Sequence, residues 1–126
     1  MAKLKSIPMN YEHNKLGYGQ KLPGKFRDEL LEKGITSTFE AIKCGLRTAT
    51  SRAEKYKKDE LVIFYKTGGI EKLLCIITCD SYKVNTIKKE EWSKLEGWDI
   101  DYFDLNPDVK NKFQFRFKLL QVYKFG

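Results

Sequence analysis

Residues 113–119 read Phe-Gln-Phe-Arg-Phe-Lys-Leu, and no other stretch limits the fold as tightly. Apolar and polar residues alternate with period two. Phe113, Phe115, Phe117 and Leu119 therefore share one face, with Gln114, Arg116 and Lys118 on the other. That is a half-buried strand, and its pattern runs on through Val122 and Tyr123. Such a strand needs partners. Glu60–Tyr65 carries Leu61, Val62, Ile63 and Phe64, and Lys72–Thr78 carries Leu73, Leu74, Ile76 and Ile77. Thr67-Gly68-Gly69 between them is a hairpin signal. Tyr82–Asn85 adds a further short strand.

Helical patterns are short. Phe26–Lys33 places Phe26, Leu30 and Leu31 on one side, with Gly34 as its stop. Ser37 followed three residues later by Glu40 forms a capping box, which starts a helix over 37–44. Phe39, Ile42 and Leu46 share its apolar face, and Gly45 suits the left-handed position after its end. Lys88–Leu95 reads as another helix, with Trp92 and Leu95 three apart and Gly97 closing it. Residues 99–110 are acidic and turn-rich. Residues 1–25, with Pro8 and Pro23, read as an irregular arm. Residues 26–126 then form a single domain. Several strands with only brief helices between them predict an α+β fold, a small, curved, mixed β-barrel with helices at its ends.

The 126 residues suit one compact domain, and 41% hydrophobic content is too much for a disordered chain. No apolar run approaches the ~20 residues of a membrane span. The start has no apolar signal region, so a cytoplasmic protein without a membrane partner is expected. Three cysteines without a CxxC pair, and one histidine, His13, argue against a disulfide framework and against zinc. No cofactor is expected. The formal charge of +7 favours partners that carry phosphate. The first half is the more basic: residues 1–60 hold 13 Lys/Arg against 8 Asp/Glu, and residues 61–126 hold 11 against 9.

That half contains Cys-Gly-Leu-Arg-Thr-Ala-Thr-Ser-Arg over residues 44–52. If 47–52 is a strand, Arg47, Ala49 and Ser51 face one way and Thr48, Thr50 and Arg52 the other. Polar residues on both faces suit either a solvated edge strand or the wall of a wet cleft. Arginine forks bind phosphate or carboxylate bidentately, hydroxyls add donors and acceptors, and a threonine beside a base can be a nucleophile.

Gly45–Arg52 resembles the G-x-K-T-x-T-x-R signature of ASCH domains, relatives of the PUA-like RNA-binding fold. The preceding Phe-Glu-Ala-Ile-Lys-Cys-Gly is similar to that family's lead-in helix. Tyr56–Leu61 stands where the family enters a strand, and Ile87–Trp98 resembles the stretch that ends in a functional glutamate and a glycine. The resemblance spans residues 38–120. It implies a PUA-like barrel with a cleft for a nucleotide, a modified nucleoside or RNA. Some small members are amidohydrolases that deacetylate acetylcytidine with a lysine, a threonine and a glutamate. By position these are Arg47, Thr50 and Glu96.

Arginine at the lysine position matters, because lysine can lose its proton on burial and arginine effectively cannot. Lys43 can substitute as a base only if the helix end brings it near. Asp59-Glu60 also replaces the family's Gly-Asp. The arginine at the lysine position, the basic first half and the hydroxyls favour a binding module using Arg47, Thr48, Thr50, Ser51, Arg52 and Glu96, and Trp98, Tyr102 and Phe103 offer a base-stacking surface. The alternative is a hydrolase, acting on acetylcytidine-like bases or on RNA through Thr50 and Glu96. Two further motifs are weak: Asp99, Asp101, Asp104 and Asp108 match no calcium loop, and Gly17–Lys25 lacks the ending of a P-loop.

Overall fold

In a computed structural model of the chain, residues 4–10, 32–35, 37–96 and 107–124 are described. Six strands form one sheet: β1 (Lys5–Pro8), β2 (Ala49–Arg52), β3 (Leu61–Tyr65), β4 (Glu71–Ile77), β5 (Tyr82–Lys83) and β6 (Phe113–Lys124). Their order is β1-β3-β4-β6-β2, with β5 also on β6. Only β1–β3 is parallel, so the sheet is mixed, and it curls into a half-barrel. Two short α-helices, α1 (Thr38–Lys43) and α2 (Lys89–Glu96), complete an α+β fold with two 3-10 turns, Val84–Thr86 and Pro107–Asn111.

β6 organises the molecule. Its first part, from Phe113 to Arg116, pairs with β2, and its second part, from Phe117 to Lys124, pairs with β4. The register shifts where Leu74 and Cys75 face Gln121 and Leu119, which leaves Leu120 as an extra residue. A bulge of this kind bends and twists a strand, in keeping with the curl of the sheet. Phe115 and Phe117 face a core with Ile7, Met9, Tyr56, Val62, Phe64, Leu73, Cys75 and Ile77, closed by Phe39 and Ile42 of α1. A second cluster holds Trp92 of α2 against Val84 and Val109.

The ends of α1 follow the sequence closely. Ser37 Oγ accepts the Glu40 N–H at 3.1 Å. At the other end Gly45 adopts φ +83°. Its N–H donates to Ile42 O at 3.1 Å, and the Leu46 N–H donates to Ala41 O at 2.9 Å. This pair of bonds is a Schellman motif, which satisfies the last carbonyls and turns the chain out of the helix. Leu46 lies beyond that turn and is exposed, so it does not extend the apolar face of α1 as its spacing suggested. Gly45→Ala keeps the space but strains the backbone. We expect a loss of about 1–2 kcal/mol in chemical denaturation.

Three other readings change. Lys5–Pro8, within the segment expected to be irregular, is a strand, and its Ile7 reaches the core. The 82–85 strand is two residues long and gives way to a 3-10 turn. Asp59 adopts φ +73°. Aspartate tolerates this left-handed region better than most residues, so the turn forms without a glycine. The helix read over 26–33 lies almost wholly outside the described residues.

Candidate functional site

The Schellman turn delivers residues 47–52 directly onto the edge of β6. The Thr48 N–H donates to Leu95 O of α2 at 2.9 Å, and Thr48 O accepts the Phe117 N–H at 3.0 Å. β2 is thereby clamped between the end of α2 and β6. Ala49, Thr50 and Ser51 are all buried, so both faces of this polar strand are covered.

Strand alternation holds for β2 itself. Ser51 lies opposite Gln114, and Thr50 lies opposite Phe115. Arg47 precedes the strand and escapes the alternation. Its Nη2 donates to Thr50 Oγ1 at 2.8 Å, and its Nε donates to Ala49 O at 3.2 Å. Arg52 Nη1 donates to the same Thr50 Oγ1 at 3.0 Å and to Ser51 O at 2.8 Å. The two arginines therefore meet on one hydroxyl and do not diverge to opposite faces. Thr48 is exposed and takes no part.

Glu96, the last residue of α2, lies on the other side of β2. Its Oε2 accepts Ser51 Oγ–H at 2.5 Å and Gln114 Nε2–H at 2.9 Å. Its Oε1 faces Arg47 Nη2 at 3.9 Å. Trp92 Nε1–H donates to Ser51 Oγ at 3.3 Å. Gln114 Oε1 accepts Arg116 Nε–H at 3.0 Å, and Arg116 Nη2 pairs with Glu91 at 3.1 Å. This chain of bonds runs from the surface of α2 to the buried carboxyl.

Burial pushes the Glu96 carboxyl above the ordinary carboxylate range. Arg47, the bonds from Ser51 and Gln114, and the charge of Arg52 oppose that rise. Burial also lowers the pKa of the Arg52 guanidinium, against the charge of Glu96, yet arginine stays charged. The remaining Arg52 contact is a weak one, from Nη2 to Met9 Sδ at 3.1 Å. Among the described residues no carboxylate lies within ion-pair distance of Arg52.

The expected site residues thus separate. Arg47, Thr50, Ser51, Arg52 and Glu96 form one connected cluster. Lys43 is directed elsewhere: its Nζ pairs with Glu71 of β4 at 2.7 Å, which holds its pKa up. Trp98, Tyr102 and Phe103 lie outside the described residues, as do His13 and the Gly17–Lys25 segment. Cys75 is a buried thiol whose pKa is pushed up to about 12, so it stays protonated. Among the described residues no group of His, Cys, Asp or Glu is arranged to hold a metal, and no helix is long and apolar enough to cross a membrane.

Gln114, Trp92, Arg116 and Met9 belong to the cluster but carry no functional signal in the sequence. Gln114 looks like an outward residue between inward phenylalanines. It is fully buried, because α2 covers that face of β6. The chain matches no protein-family model, no curated protein and no solved structure. The likeness to ASCH domains therefore rests on the motif residues alone.

Proposed function

We propose that the chain is a recognition module that binds a nucleotide, a modified nucleoside or RNA at the Arg47–Thr50–Arg52 cluster, with Glu96 beside it. One observation carries this reading. Arg52, half-buried, spends its donors on a hydroxyl, a carbonyl and a thioether, and among the described residues no carboxylate is within ion-pair distance, although the charge of Glu96 is felt from further off. Buried charges are normally paired, and a thioether is a poor acceptor. A phosphate or a polar base edge supplies the missing acceptors. The basic first half of the chain points the same way. Thr50 is fully buried, so a ligand reaches it only by displacing the side chains that cover it.

Calorimetry with CMP, cytidine and a short RNA tests the reading. Arg52→Ala is expected to weaken a phosphate-bearing ligand by about 1–3 kcal/mol, the worth of a charge-assisted hydrogen bond. Equal affinity of the variant and the unaltered chain for CMP would rule the site out.

A second reading, hydrolysis of an acylated base, draws on the meeting of Arg47, Thr50 and Glu96 in one network. These are the three positions that the resemblance gives to lysine, threonine and glutamate. The reading lacks a proton acceptor for Thr50. Glu96 Oε2 already takes Ser51 and Gln114, Lys43 is paired with Glu71, and an arginine cannot serve. Turnover of acetylcytidine that disappears in Thr50→Ala would establish hydrolysis over recognition.

A further inference from the structure

The cross-strand register puts cations and an aromatic ring in one row beside the cluster. Arg52 of β2 lies opposite Phe113 of β6, and Phe113 lies opposite Lys83 of β5. All three belong to the face that carries Phe115 and Phe117 into the core. Phe115 is fully buried, whereas Phe113, past the rim of the core, is half-buried. Lys55 places its Nζ 4.9 Å from the centre of the Phe113 ring, so that ring face is reached from the exposed Lys55 side chain. Lys55 and Lys83 are exposed, and neither is in an ion pair among the described residues. The neighbouring carboxylate, Glu54, is held by Lys5 at 2.9 Å.

From this row we infer that the chain binds single-stranded nucleic acid, with the strand leaving the cluster at Arg52 and crossing Phe113 towards Lys83. The inference rests on the reading of the cluster as a nucleotide site and extends it from one nucleotide to several. Strands in a sheet are about 4.8 Å apart, so Arg52 and Lys83 flank the ring across about 10 Å. A base stacks on Phe113 when Lys55 swings from the ring to a phosphate. The three cations take backbone phosphates, which is the division of labour of single-strand binding surfaces. An acidic peptide would satisfy the cations but would leave the aromatic face without a role.

Fluorescence anisotropy of the full chain with labelled oligo-uridine and oligo-thymidine of about ten nucleotides tests this. CMP and a poly-glutamate peptide serve as competitors. The oligonucleotide is expected to bind at least tenfold tighter than CMP. The double variant Lys55→Gln/Lys83→Gln should weaken it about tenfold and lower its salt slope by about 1.4, or 0.7 for each lost phosphate contact. CMP binding should not change in that variant. Phe113→Leu, whose fold is checked by circular dichroism, should weaken the oligonucleotide about 5- to 150-fold.

An oligonucleotide no tighter than CMP, or one indifferent to the double variant, overturns the row and leaves the cluster standing. Oligonucleotide binding that needs Lys55 and Lys83, in a chain that does not bind CMP, overturns the cluster and leaves the row. Poly-glutamate that competes as well as the oligonucleotide overturns the nucleic-acid assignment in favour of an acidic peptide.

Discussion

Replacing Glu96 by alanine is expected to cost the fold about 3–5 kcal/mol, read as a drop in the urea midpoint, because it strips a buried network of its shared acceptor. Ser51 Oγ–H and Gln114 Nε2–H both lose their partner, and Arg47 loses the carboxyl that faces it. Glu96→Gln keeps an oxygen for Ser51 and should cost less. The two variants also differ from the unaltered chain in pH dependence. The Glu96 pKa is raised on folding, so the folded state holds this proton more tightly than the unfolded state. The stability from this group is fully present below the unfolded glutamate pKa of about 4.3 and is lost as pH rises through the folded value. Denaturation between pH 4 and 8 should therefore show a downward slope from this group, and Glu96→Gln should flatten it. An identical slope in Glu96→Gln would mean that the carboxyl does not titrate in that window.

Trp92→Ala should have a comparable effect, about 3–5 kcal/mol, for a different reason. Trp92 is fully buried against Val84 and Val109, and this cluster holds α2 against the two 3-10 turns. Removing the indole leaves a cavity and frees the helix that carries Glu96. Trp92→Phe fills most of that space and loses mainly the N–H bond to Ser51, so a cost of about 1–2 kcal/mol is expected. Urea denaturation of the pair separates packing from hydrogen bonding. If the two variants fall equally, the indole N–H and not the packing holds α2.

What was legible in the sequence was local. The Ser37–Glu40 cap, the left-handed Gly45, the β3–β4 hairpin and the apolar face of β6 each follow from residues a few positions apart. The unread parts depend on segments far apart in the chain. β1 pairs in parallel with β3 across more than fifty residues, and only its Ile7 shows an inward preference. Gln114 and Ser51 look like surface residues until α2 is placed over them. Arg47 defeats the period-two rule because it lies before the strand, where the backbone is still leaving the helix turn. The cluster residues were therefore recognisable by type, but not the direction of the two guanidinium groups.

β6 carries a consequence for the order of assembly. Among the described residues, every wall of the cluster is made before residue 97 except the one that holds Gln114, Phe115 and Arg116. Until that strand arrives, β2 has no antiparallel partner, Glu96 has no amide to orient it, and β4 has one edge open. Pairings between distant segments form slowly, because loop closure precedes any gain from contact. A nascent chain on the ribosome thus carries the arginines and hydroxyls of the cluster well before the cluster is assembled. Its assembly is completed in one late step, when a single strand closes both halves of the sheet together.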